Sequence, residues 1–263
     1  MKTIYEIPEA AKTVIREYFE IPIGNKKVVA PYFMNLKKQR AGLRVMVGKG
    51  DPGEIAREMK VFAQLKGFDL SKASEKDIRE FMLANNVGID CSGYVVYILN
   101  NWLRSQGKKK LNNYLVFKSN NFLSKLKRML RSVQNMGANT LTNESNTIKV
   151  ENLNEIRPGD LIRAKGKQRN SHHVALIIEV VIEDEVIKEF TYTHSHRYYE
   201  EDNGVRIGKV KISNPNGELK DQEWLEIKDG RNWMYEDLMV EYEDNGVRRL
   251  KNVTLDYTKI IEE

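Results

Sequence analysis

Cys91 is the only cysteine in a chain of 263 residues, and it lies within Gly88-Ile89-Asp90-Cys91-Ser92-Gly93. Asp90 before it and an apolar-periodic run after it place the thiol in the first turn of a helix. There, unpaired backbone N–H groups and the positive end of the helix dipole favour thiolate over thiol, so a lowered pKa is expected. All four histidines lie downstream in two tight clusters, His172-His173 and His194-Ser195-His196. A nucleophilic sulfur followed by imidazoles able to take its proton is the residue set of a Cys/His hydrolase. Ser92 and Gly93 are small, which leaves room for a substrate carbonyl beside the sulfur.

Such chemistry needs elements that hold these groups. Val95, Val96, Ile98, Leu99, Trp102 and Leu103 recur at helical spacing and give a helix from Asp90 to about Arg104 a buried face. The histidines flank strand-like runs, Val174 to Ile182 and Val186 to Thr193, separated by the acidic break Glu183-Asp184-Glu185, which reads as a hairpin. With a symmetric turn centred between Glu183 and Asp184, opposite residues share an index sum of 367, so His173 faces His194. Directly opposite residues have Cβ atoms about 5 Å apart, close enough for one imidazole to orient the other. A one-residue bulge would bring His196 or His172 into play instead; in the regular register those two are bystanders.

Elsewhere, a helix is expected from about Pro8 to Phe19, and short strands at Val28 to Phe33 and Leu43 to Val47. Asp51-Pro52-Gly53-Glu54 has the N-cap and first-position proline of a helix start, and Ser74 opens a further helix that closes near Asn85. Gly48-Lys49-Gly50 lacks the spaced glycines and Lys-Ser/Thr pair of a phosphate loop. Residues from about 112 to 146 are polar, basic and asparagine-rich, as in an insertion. Glu-Asp-Asn-Gly-Val-Arg occurs at residues 201–206 and again at 243–248, which suggests two similar tight Asn-Gly hairpin turns. Trp224, Trp233, Tyr235 and Leu238, between the two copies, are expected to bury an extra layer against the core.

The net charge is +6, unevenly spread: residues 1–182 carry 31 basic and 17 acidic side chains, and residues 183–263 carry 12 and 20. Between Arg104 and Arg131 there are nine Lys or Arg and no acid, interleaved with Tyr114, Phe117 and Phe122. That stripe could attract an anionic polymer. The plainer reading is a helical face with Leu115, Phe117, Leu123, Leu126 and Leu130 turned inward. One cysteine excludes an intramolecular disulfide, and no run approaches the ~20 apolar residues of a membrane span. The N-terminus, broken by Glu6, Glu9, Lys12 and Arg16, is not of signal-peptide type. A cytoplasmic location is expected from the chain as written, with extracellular or cell-wall action left open.

Asp90-Cys91-Ser92-Gly93, Arg157-Pro158-Gly159-Asp160-Leu161-Ile162 and His173-Val174-Ala175-Leu176-Ile177-Ile178, in that order, resemble the NlpC/P60 group of papain-like cysteine peptidases over roughly residues 88–212. The resemblance implies an α+β fold with the nucleophile helix packed on an antiparallel sheet, and a catalytic trio of Cys91 as nucleophile, His173 as base and His194 as the third residue. It also implies a substrate subsite flanked by Asp90 and Ser92, no metal or organic cofactor, and a peptide or muropeptide substrate such as a bacterial cell-wall stem peptide. Lecithin-retinol-acyltransferase-like relatives place histidine before cysteine, unlike this chain, and CHAP amidases usually follow the histidine with glutamate or asparagine. The tyrosine that commonly precedes the family's cysteine has no local match, and Tyr32 is the candidate to replace it. The expected organisation is an N-terminal α/β extension (1–87), a core (88–212) with a basic insertion at about 105–147, and a β-rich C-terminal extension (213–263). Two other readings of the same residues are a zinc site built from the clustered histidines and an inactive module that binds an anionic polymer through the basic insertion.

Overall fold

The computed structural model describes residues 1–34, 44–117, 133–166, 172–197, 202–238 and 245–262. It is a mixed α+β structure built on a large, antiparallel sheet. The N-terminal part supplies strand β1 (Lys2–Glu6), helix α1 (Glu9–Phe19), the small hairpin β2 (Ile21–Ile23) and β3 (Lys26–Val28), and helices α2 (Pro52–Lys66) and α3 (Glu75–Ala84). Helix starts follow the expected chemistry. Asp51 accepts from the Glu54 N–H while the Glu54 carboxylate takes the Asp51 N–H, and Ser74 and Asp77 form the same reciprocal box at α3. Of the expected strand at 43–47, Leu43 lies outside the described residues and Val45–Val47 is instead a 3₁₀ turn, ended by Gly48 at φ 70°. The expected strand at 28–33 stops at Val28. Beyond it, Tyr32 makes a single parallel bridge to Ile89.

Helix α4 (Cys91–Ser105) is the central one, with Tyr94, Val95, Ile98, Leu99, Trp102 and Leu103 all fully buried. At about 1.5–3 kcal/mol for each large apolar side chain removed from water, this face anchors the helix firmly. Helix α5 (Ala138–Thr142) and strand β4 (Thr147–Lys149) follow. Next come β5 (Leu161–Lys165), β6 (His172–Glu183), β7 (Val186–His196), β8 (Gly204–Lys211), β9 (Glu223–Trp224), helix α6 (Trp233–Leu238), β10 (Gly246–Leu250) and β11 (Thr258–Glu262). The sheet order is β4-β10-β5-β6-β7-β8-β9, with β1 paired to the distal half of β6 and to β11. Strands from the expected N-terminal, central and C-terminal segments therefore share one sheet. Asp160 of the Arg-Pro-Gly-Asp stretch helps to bind them: its buried carboxylate accepts two bonds from Arg249 of β10, at 2.8 and 2.7 Å.

The β6–β7 hairpin turns at Asp184 and Glu185, both at positive φ (50° and 65°), as a two-residue turn with matching twist requires. The turn centre thus lies one residue later than the sequence suggests. Pairs at both ends of the ladder, Glu183↔Val186 and Leu176↔Thr193, have an index sum of 369, with an offset stretch between them. Extended to the histidines, that register sets His173 opposite His196, and His194 becomes its diagonal neighbour. An error of two residues preserves the face, since side chains alternate with period 2.

The repeated hexapeptide is a device for entering strands. Gly204 and Gly246 begin β8 and β10 at φ 126° and 121°. The preceding asparagines cap neighbouring chain: Asn203 Oδ1 accepts from the Tyr32 N–H at 2.7 Å and Asn245 Oδ1 from the Lys165 N–H at 2.9 Å. His196 pairs with Gly204, so Gly204 belongs to strand β8 and not to a tight two-residue turn. Trp224 and Leu238 are buried in a second apolar layer on the sheet, as expected, and Tyr235 packs against it. Trp233, expected with them, is half-buried under the Arg231 guanidinium and is not part of that layer. In the basic segment Leu115 is buried and Phe117 packs on the core, whereas Phe122, Leu123, Leu126 and Leu130 lie outside the described residues. Among the described residues no helix is long and apolar enough to cross a membrane.

Candidate active site

Asp90 is the N-cap of α4, its carboxylate accepting the Gly93 N–H at 2.6 Å. This fixes Cys91 as the first helical residue, as its sequence context demands. Helix α4 lies on the sheet face presented by Thr193 and Ser195: Tyr94 Oη and Thr193 Oγ1 are 2.8 Å apart, and Ser195 Oγ donates to the Ile89 carbonyl at 2.8 Å. The β6–β7 ladder stops at Leu176↔Thr193. Past that point the Val174 backbone N–H is directed at the Cys91 thiol. The sulfur is thus held at the open end of the ladder, beside the residue that follows His173.

The thiol is not acidified at rest. Burial pushes its pKa up to about 12 and the Asp90 charge adds to the rise, outweighing Lys49 and the Val174 and Ser92 N–H groups that favour thiolate. The expected lowering by the helix start is real but smaller than the desolvation of a nearly inaccessible sulfur.

His173 and His194 do meet. His173 Nε2 lies 2.8 Å from His194 Nδ1, leaving His173 Nδ1 outside that bond. His196, expected to stand apart, has its ring centroid 4.7 Å from that of His173 and 5.4 Å from that of His194. Burial first, then the neighbouring His196 and His194, hold His173 well below the ordinary imidazole pKa. His172 belongs to the opposite pleat of β6, where alternation puts it. Among the described residues no His, Cys, Asp and Glu group is arranged to hold a metal ion.

The expected subsite residues Asp90 and Ser92 are both buried, and their side chains are engaged by a residue the sequence did not single out. Lys49, itself 6% exposed, donates to Asp90 Oδ1 at 2.7 Å and to Ser92 Oγ at 2.6 Å. The space expected beside Gly93 is also taken from within, since a Cβ there would lie 2.9–3.0 Å from Ile89, Gly48 and Lys49. The sole hint in the sequence is a lysine between two glycines just after Val45-Met46-Val47. Tyr32 reaches the site through the Ile89 bridge; burial, then the Cys91 and Asp90 charges, raise its phenol well above the ordinary range, so it stays a donor.

A second residue escaped notice. Glu226, just after β9, accepts Tyr192 Oη at 2.6 Å and Arg206 Nε at 2.6 Å, and its oxygens lie 3.1 and 3.0 Å from His194 Nε2. Burial works against the carboxylate, but His194, Tyr192 and Arg206 overcome it and bring the pKa down to about 2. No local spacing ties Glu226 to the histidines. Its neighbours come from β7 and β8.

A cleft of about 350 Å³ lies elsewhere, lined by Val116, Phe117, Asn139, Thr142, Arg163 and Arg248 among others, without Cys91 or the histidines. Arg163 and Arg248 project from the same face of neighbouring strands β5 and β10. Compared with family models, curated proteins and solved structures, the chain gives no match.

Proposed function

We infer that this chain is a cysteine hydrolase that cleaves an amide bond through a thioester, with a papain-like core of NlpC/P60 type. One observation carries the reading: the thiol at a capped helix start lies at the backbone N–H of Val174, and the residue before Val174 is His173, bonded to His194. With Cys91 protonated and His173 neutral, the chemistry supported is general-base attack. As sulfur bonds to the carbonyl carbon, its proton passes to His173 Nδ1 and the carbonyl electrons move onto oxygen. The Cys91 backbone N–H and the Tyr32 hydroxyl are the donors at hand for that oxyanion, and losing one such donor costs about 3 kcal/mol in hydrolases. Collapse breaks the C–N bond, and His173 returns the proton to the leaving amine. Water, giving its proton to His173, then releases the acyl group as an acid and restores the thiol.

The substrate class favoured by the sequence resemblance is a cell-wall stem peptide. Because Lys49 already engages Asp90 Oδ1 and Ser92 Oγ, recognition of a substrate cation by those two atoms is disfavoured. The test is incubation with muropeptides and with an unrelated peptide library, read by mass spectrometry, with Cys91→Ala as control. New termini are expected with the wild type alone, and equal turnover by Cys91→Ala would end the nucleophile assignment.

The cleft supports a second reading, in which the insertion side grips an anionic polymer with Arg163 and Arg248. Salt-sensitive binding of polyphosphate, weakened by Arg163→Gln, is the expected result. Binding unchanged by that substitution would remove this reading.

A further inference from the structure

We propose that Glu226 is a positioning residue of this site: its carboxylate, held by Tyr192 and Arg206, fixes the tautomers of both His194 and His173. The argument follows donors and acceptors along one line. An ionised carboxylate can only accept, so the His194 nitrogen facing it, Nε2, carries the hydrogen. A ring with one hydrogen, at Nε2, presents a bare Nδ1. His173 Nε2, 2.8 Å away, must donate to it. What remains on His173 is an Nδ1 lone pair, the form a base needs. Without the carboxylate, either ring could adopt the other tautomer and leave His173 Nδ1 already protonated.

The surroundings are built for this acceptor. The Glu226 side chain is 3% exposed, and Arg206 compensates its charge. Tyr192 Oη and Arg206 Nε each hold a different oxygen, which fixes the plane of the carboxylate against the His194 edge. Strand β8 makes room with Gly208, opposite Tyr192 in the ladder: a Cβ there would collide with the Tyr192 ring and come within 2.7 Å of Glu226 Oε2. The lowered pKa of the carboxyl is in keeping with an acceptor surrounded by donors.

The meaning of this device for catalysis rests on the hydrolase reading above, but the tautomers do not. The experiment is assigned imidazole ¹⁵N NMR in mildly alkaline solution, which reads the hydrogen on each ring nitrogen directly. In the wild type, His194 and His173 are both expected to be protonated at Nε2 and bare at Nδ1. In Glu226→Gln, one amide oxygen faces three donors and the amide N–H₂ must meet one of them, so the His194 preference is expected to reverse or average. Glu226→Asp keeps an acceptor and is expected to retain the wild-type pattern. On a substrate that the wild type turns over, Glu226→Gln is expected to lower kcat at least ~10-fold with little change in KM, as for other groups that orient a histidine.

A wild-type His194 protonated at Nδ1 would overturn the proposal without any variant. So would a Glu226→Gln protein with unchanged tautomers. Absence of turnover by the wild type, with the expected tautomers present, would instead strike the hydrolase reading and leave the Glu226 assignment standing.

Discussion

At the scale of single residues, the site sets a buried thiol near buried imidazoles. Helix start, Val174 N–H and Lys49 all favour thiolate, yet the loss of water around the sulfur outweighs them. The protein alone is therefore expected to alkylate slowly with iodoacetamide at neutral pH and faster only as the solution becomes strongly alkaline, with no thiolate absorbance near pH 7. A titration midpoint below about 7 would contradict the protonated resting state. Lys49 has a separate stake. Replacing it with methionine leaves Asp90 as an uncompensated buried charge, a loss on the order of 3–5 kcal/mol. Chemical denaturation should show that loss in Lys49→Met, and the double variant with Asp90→Asn should recover a good part of it, because asparagine still caps a helix.

The elements place these residues by stopping and starting at the right points. Helix α4 is held by an apolar face whose largest member, Trp102, is fully buried and donates to the Asp256 carbonyl at 2.9 Å. Trp102→Ala should cost about 3–5 kcal/mol in denaturation experiments and loosen the attachment of the Asp256 segment to α4. Strand β8 constrains the other side of the site. Gly208→Ala forces Tyr192 and Glu226 apart, and the expected outcome is lower thermal stability together with disturbed His194 resonances. Retention of both would mean that β8 can shift at little cost. The β6–β7 hairpin contributes by ending its ladder early, which frees the segment around Val174 to meet the thiol.

Over the whole molecule, the charged groups of the site give a defined response to acid. Glu226 has a folded pKa of about 2 against an ordinary 4.5. Its stabilisation is thus fully present above about 4.5 and is lost as pH falls towards 2, in all about 3 kcal/mol by linkage. His173 acts earlier. Its folded pKa lies well below 6.5, so below 6.5 the unfolded chain binds a proton that the folded one refuses, and stability falls with pH there too. Denaturation midpoints measured from pH 7 to 3 should decline throughout, with the lower part of the decline reduced in Glu226→Gln. A flat profile would show that neither group is perturbed in the folded protein.

Much of the local structure was legible from residue order because its causes are local. Proline, aspartate and serine at helix starts, apolar spacing along α4, and β-branched runs around an acidic break act within a few residues of one another. Cys91 at a helix start and His173 and His194 on one hairpin face followed from these. The face survived a register error because shifting by two residues leaves the pleat unchanged. What only the tertiary structure decided involves partners distant in sequence. Lys49 meets Asp90 and Ser92 across 41 and 43 positions, and Glu226 meets His194 across 32. The direction of the Cys91 pKa was decided there as well. A helix start is written in the sequence, but the burial that overrides it depends on how the chain closes over the sulfur.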